Sequence, residues 1–203
     1  ELRLWNVPQR YALAVEATPP PRAALLPHIW LSDEEIRQGQ RLLEQLPDKA
    51  GTPPIALHPY ATHPDKAWKE AYWRQLMELF ESRGIPWIVI GRGSGMEGIP
   101  ASRNFTNRTS LRETCALLKS SSLLITGDSG PMHLAGAVGT PVLALFGPTT
   151  EEWGFFPAGP KDRVLESQLD CRPCTLHGKK HCDRNHACMQ SITPEQVMRA
   201  LDE

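Results

Sequence analysis

The sequence predicts an α/β fold built on a doubly wound parallel sheet. Three observations carry that reading: short apolar runs alternate with segments of helical periodicity, capping boxes mark helix starts, and glycine or proline punctuates the joins. Strands that alternate with helices imply right-handed crossovers and a sheet covered on both faces.

The elements follow in chain order. Ser32 and Glu35, three apart, form a capping box that opens a helix with apolar positions Ile36, Leu42, Leu43 and Leu46 and a stop near Pro47. Ile55–His58, after two prolines, is a short apolar run read as a buried strand. Tyr72, Leu76, Leu79 and Phe80 repeat at helical spacing over Glu70–Arg83, and Gly84 ends that helix. Residues 86–90 are the next strand, followed by the loop Gly91-Arg-Gly-Ser-Gly95. Ser110 and Glu113 form a second capping box, before a helix carrying Cys115, Leu117 and Leu118. A strand over 123–126, a short helix over Gly130–Val138 and a strand over 141–146 complete the alternation.

Composition narrows the possibilities. With 203 residues, 40% of them hydrophobic, the chain can bury one sizeable core. The net charge of −1 gives no global attraction to nucleic acid or anionic lipid, so an anionic ligand requires a local cluster of donors. No apolar run approaches the roughly 20 residues of a membrane helix, and the first residues do not form a signal peptide. Thr18 followed by Pro19, Pro20 and Pro21 reads as a linker, and residues 2–15 are apolar enough to pack on another element. The start at Glu1 is read as the mark of a fragment or processed product.

In a sheet of this kind, ligands sit beyond the carboxyl ends of the strands. Three loops there carry polar residues: Pro59 to Trp68, Gly127 to His133, and Gly147-Pro-Thr-Thr150. Asp128, Ser129 and Gly130 open a helix, so backbone N–H groups and the positive end of the helix dipole face the crevice. Ser129 adds a hydroxyl, His133 an imidazole one turn in, Gly130 room for close approach, and Lys66 a point charge; together they compose a diphosphate site. Each residue also has an ordinary reading: the turn as a helix cap, His133 as a packed or solvated side chain, Lys66 as a solvated lysine, Trp68 as a core aromatic.

The segment Leu124-Ile-Thr-Gly-Asp-Ser-Gly-Pro-Met-His-Leu-Ala-Gly-Ala-Val-Gly-Thr-Pro-Val-Leu-Ala-Leu-Phe-Gly-Pro-Thr149 closely resembles the signature of glycosyltransferase family nine, the heptosyltransferases. Lys66-Ala-Trp68 and Asn107-Arg-Thr-Ser-Leu111 resemble two further steps of that family, so the likeness runs from about Ile55 onward. The resemblance implies a Rossmann-like sheet forming the C-terminal half of a GT-B glycosyltransferase. Residues 1–31 are then linker and residual N-terminal segment, and 32–203 the nucleotide-sugar-binding domain. It also implies an ADP-heptose or related donor, inverting transfer to a lipopolysaccharide-type acceptor, no catalytic cofactor, and a cytoplasmic location that extends to the inner-membrane periphery. Carried over by position, Thr62 and Lys66 contact phosphates, Asp128, Ser129, Gly130 and His133 hold diphosphate and sugar, and Glu97 reaches the ribose. The family's acidic base belongs to an N-terminal domain for which no room precedes Ile55. The expectation is therefore a half that binds donor, contains no catalytic base and transfers sugar poorly or not at all.

Cys171-Arg-Pro-Cys174, Cys182 and Cys188 supply enough thiolates for a tetrahedral zinc or iron site within 171–188, with His177, His181 and His186 as alternative ligands. Similar insertions in the resembled family are associated with iron. Disulfides and free thiols remain alternatives, although the cytosol disfavours disulfides. Three rival functions are weighed: a binding module without turnover, a nucleotide-sugar epimerase, which would need more acidic and histidine residues in the crevice, and a nucleic-acid knuckle using Lys179, Lys180 and Arg184. No nucleic-acid partner is expected.

Overall fold

Five parallel strands make one sheet in the order β2-β1-β3-β4-β5: β1 is Ile55–His58, β2 Trp87–Val89, β3 Leu123–Gly127, β4 Val142–Phe146 and β5 Arg163–Glu166. The structure is a computed structural model and describes residues 5–47, 51–175 and 182–202. Alternate residues of each strand face opposite layers. Leu57, Ile125, Leu143 and Leu145 meet α3 (Glu70–Arg83) and α7 (Pro194–Asp202), through Trp73, Leu76, Phe80, Val197 and Met198. Ala56, Leu124, Val142, Ala144 and Phe146 face the other way, toward α4 (Leu111–Lys119) and α5 (Gly130–Val138). The helix α2 (Asp33–Leu43) covers α4 so closely that a Cβ on Gly39 would lie 2.7 Å from the Ala116 backbone.

Local chemistry explains where the helices begin and end. In both capping boxes the serine hydroxyl accepts from the third residue's N–H while the glutamate accepts from the serine's own N–H. Gly84 and Gly139 close α3 and α5 in the left-handed conformation that a Cβ disfavours. Trp68 is a core aromatic: it is buried, edge-on to Trp73 at 4.8 Å, and its indole N–H donates to the Ile192 carbonyl.

One strand and three α-helices go beyond the sequence expectation. β5 adds a half-exposed edge strand, α6 (Ala187–Gln190) a single turn, and α7 a closing helix. Near the start, α1 (Val7–Ala12) docks on the loop after β4, where Val7 N–H donates to the Gly154 carbonyl and the Arg10 guanidinium to the carbonyls of Glu152 and Trp153. That contact is polar, and Tyr11 and Val15 of the same stretch stay exposed, so the apolar packing expected of residues 2–15 is not seen among the described residues. Gln9 then donates to the carbonyl of Pro20, which ties the proline run back to α1. No helix among the described residues is long and apolar enough to cross a membrane.

Candidate functional site

Strand order locates the site. β1 and β3 are neighbours, but the chain leaves β1 toward β2 on one side and continues from β3 toward β4 on the other, so their carboxyl ends diverge into a crevice. That crevice has a volume of about 450 Å³ and is lined by residues of the three loops after β1, β2 and β3, together with the start of α4. Thr62, Ser129 and Gly130 line it, as expected from the sequence. A Cβ on Gly130 would meet no protein atom, so the first turn of α5 opens into free space. Pro131 lacks an N–H, which leaves the Gly130 amide and the Ser129 hydroxyl as the donors best placed at this end.

The other expected residues are distributed differently. Lys66 Nζ lies 2.7 Å from Asp128 Oδ2, with both side chains about 15% exposed, so each cancels the other's charge beside the crevice. His133 is exposed on α5, within the electrostatic influence of Asp128. Desolvation pulls its pKa below the ordinary histidine value, and Asp128 opposes that shift. Glu97 is exposed outside the lining; its backbone carbonyl accepts from Arg74 at 3.0 Å.

The crevice floor holds residues that the sequence argument passed over. The register sets His58 opposite Thr126 at the ends of β1 and β3. Their side chains then meet: His58 Nδ1 is 3.0 Å from Thr126 Oγ1 and 3.3 Å from Ser129 Oγ, and those two oxygens are 2.9 Å apart. Burial pushes the imidazole pKa down to about 4, so the ring is neutral at pH 7. One assignment leaves the Ser129 hydroxyl free to donate: Nδ1–H donates to Thr126 Oγ1, Thr126 donates to Ser129 Oγ in place of the Gly127 carbonyl, and the Ser129 proton points at a ligand. A polar residue ending an apolar strand is the signal that could have flagged His58.

The glycines of the loop after β2 are explained by packing. A Cβ on Gly91 would lie 2.5 Å from the His58 ring, and one on Gly93 would lie 2.3 Å from the Tyr60 ring. Tyr60 donates to or accepts from Thr106 at 2.7 Å, and its burial pushes the phenol pKa up. Arg92, between the two glycines, projects from this loop and lines the crevice.

A second missed residue, Arg172, buttresses the loop after β4. Its guanidinium donates to the carbonyls of Phe146, Gly147, Thr149 and Ser167 and pairs with Glu166 at 2.8 Å, with the side chain 4% exposed. Cys174, Cys182 and Cys188 lie near the same corner. Cys174 N–H donates to the Pro148 carbonyl, the Cys188 sulfur is 3.4 Å from where a Gly147 Cβ would lie, and Cys182 Sγ accepts from His186 N–H. Burial pushes the Cys188 thiol pKa up, and the neighbouring Cys174 and Cys182 push the same way. His186 also contacts Asp65 at 2.8 Å, which joins the cysteine segment to the loop carrying Lys66. Cys115, Cys171, Cys174, Cys182 and Cys188 are all free thiols. Among the described residues, no three His, Cys, Asp or Glu side chains are grouped as metal ligands. His177, His181, Lys179 and Lys180 lie outside the described residues.

Comparison with known proteins agrees with this architecture. The family model for glycosyltransferase family 9 (heptosyltransferase) matches residues 6–183, so the likeness begins well before Ile55. Lipooligosaccharide heptosyltransferase 2 of Haemophilus influenzae is 28% identical over 96% of this chain and 61% of its own length. The ADP-heptose lipopolysaccharide heptosyltransferase II structure of Escherichia coli superposes with a TM-score of 0.64 at 23% identity, covering 88% of this chain and 53% of that one. The dodecameric iron-containing heptosyltransferase TibC, solved with ADP-D-beta-D-heptose, superposes with a TM-score of 0.61 at 23% identity, covering 77% of this chain and 46% of that one. At these identities the two structures show a shared fold, and the chain spans about half the length of the solved proteins it matches. The match of the family model over most of its length shows that this chain belongs to glycosyltransferase family 9, the heptosyltransferases.

Proposed function

We propose that the chain is the donor-binding part of an inverting glycosyltransferase that moves heptose, or a related sugar, from an ADP-sugar to a lipopolysaccharide-type acceptor. One observation carries this reading: the open first turn of α5 and the Ser129 hydroxyl face a crevice at the β1/β3 divergence. The relatives' names and the ADP-heptose bound to TibC support the choice of donor. Thr62, Ser129 and Gly130 grip the diphosphate, while Lys66, Asp128 and His133 form its flank toward the sugar. Glu97 reaches the ribose only if the loop after Gly95 closes over the crevice. Residues 32–203 are the nucleotide-sugar domain and 1–31 its lead-in.

Transfer with inversion needs a base that takes the proton from the acceptor hydroxyl as that oxygen attacks the anomeric carbon. The bond to the diphosphate breaks on the opposite face, and the charge it releases is stabilised by aligned N–H donors. This chain offers the second part. Among the described residues no carboxylate lines the crevice. That favours a further reading, in which the chain is a nucleotide-sugar-binding module whose base and acceptor site come from a separate N-terminal domain. The work takes place in the cytoplasm, at the inner-membrane surface where a lipid acceptor would be met.

The test is calorimetric titration with ADP-sugar and UDP-sugar, paired with a transfer assay on a lipopolysaccharide acceptor. Saturable binding that prefers ADP-sugar, without transfer by the 203-residue chain, is the expected outcome. Absence of binding contradicts the donor reading, and turnover contradicts the incomplete-module reading. We also propose that Cys171, Cys174, Cys182 and Cys188 hold a structural zinc or iron with no catalytic part; thiolate chemistry suits either metal, and binding would have to draw together thiols that this structure does not group into a ligand set. Metal analysis that recovers neither metal from anaerobically purified chain removes that assignment.

A further inference from the structure

We propose that Arg92 is a diphosphate-binding residue and the principal cation of the crevice, a role the sequence argument gave to Lys66; this rests on the nucleotide reading above. The strand order places the loop after β2 on one side of β1 and the turn after β3 on the other, so Arg92 and Ser129 belong to opposite walls. Arg92 is the one ionised side chain among the described residues that line the crevice, since the histidine there is held neutral by burial and no Asp, Glu or Lys is present. Its guanidinium makes no hydrogen bond or ion pair with the described residues, whereas Lys66 is held by Asp128 at 2.7 Å.

The backbone that carries Arg92 is fixed although its side chain is free. Asn107 clasps Gly93 from both directions, accepting from its N–H at 3.2 Å and donating to its carbonyl at 2.8 Å. On the preceding side Gly91, at φ +120°, lies against the His58 ring. An unpaired planar guanidinium on a pinned loop, in a crevice without carboxylates, matches the fork geometry of phosphate oxygens. Binding there costs little backbone ordering, because that order already exists.

The experiment is calorimetric titration of the 203-residue chain with ADP and with adenosine, comparing wild type with Arg92→Ala and Arg92→Lys. Arg92 is exposed, so both variants are expected to melt with the wild type. Arg92→Ala should weaken ADP by about 10-fold or more and leave adenosine unchanged, with Arg92→Lys in between. Equal ADP affinity in wild type and Arg92→Ala overturns the assignment while leaving the nucleotide reading intact. An equal loss for adenosine overturns it too, because the effect would then not depend on phosphate. If wild type binds neither compound, the nucleotide reading fails and takes this proposal with it.

Discussion

Replacing Arg172 by methionine is expected to destabilise the fold by about 3 kcal/mol, because it strands a carboxylate and several carbonyls at once. Glu166 keeps its charge but loses a partner at 2.8 Å, and it is 27% exposed, so water offsets part of the loss. The carbonyls of Gly147, Thr149 and Ser167 lose a donor that a methionine cannot replace. Urea unfolding checks this: the midpoint should fall with the slope unchanged. The double variant Arg172→Met/Glu166→Gln should recover part of the loss, since the orphaned charge goes with it. A single-variant loss below about 1 kcal/mol would mean that Arg172 only decorates the corner.

His58 makes stability depend on pH. Its folded pKa of about 4 lies below the unfolded value of about 6.5, so between those limits the unfolded chain binds a proton that the folded chain refuses. The contribution is intact above about pH 6.5, is lost progressively on acidification, and is gone below about pH 4. The interval corresponds to roughly 3 kcal/mol. His58→Asn keeps a polar group near Thr126 and Ser129 but cannot titrate. Its stability should therefore fall less than that of the wild type between pH 6.5 and 4, with urea melts at several pH values as the measurement. Parallel curves for the two proteins would show that the buried imidazole is not the group responsible.

The fold was legible where local chemistry decides it. Four strands are continuous apolar runs because both faces of the sheet are covered, and two helix starts are declared by Ser-x-x-Glu. β5 was not legible, since Arg163-Val-Leu-Glu166 is short, half exposed and edged by charge. α7 starts just after Thr193, whose reciprocal hydrogen bonds with Gln196 in the first turn repeat the capping signature, so its signal was present and passed over. In the site, Thr62, Ser129 and Gly130 could be found because position after a strand implies the crevice. Two neutralising contacts could not be read in the same way. Lys66 and Asp128 are 62 residues apart, and Arg172 is sequestered by carbonyls that only the folded corner brings together. Pairing of this kind is tertiary and leaves no local pattern. A Lys66→Ala variant would therefore leave Asp128 without its partner and repelling a phosphate.

The central claim is that a nucleotide diphosphate binds in the crevice between the loops after β1, β2 and β3. A crystal structure of the chain soaked with ADP tests it most directly. The account predicts phosphate oxygens within hydrogen-bond distance of the Gly130 amide, the Ser129 hydroxyl and the Arg92 guanidinium. ADP seated elsewhere, for example in the groove lined by Glu166, Ser191 and Arg199, with that crevice empty, would contradict it.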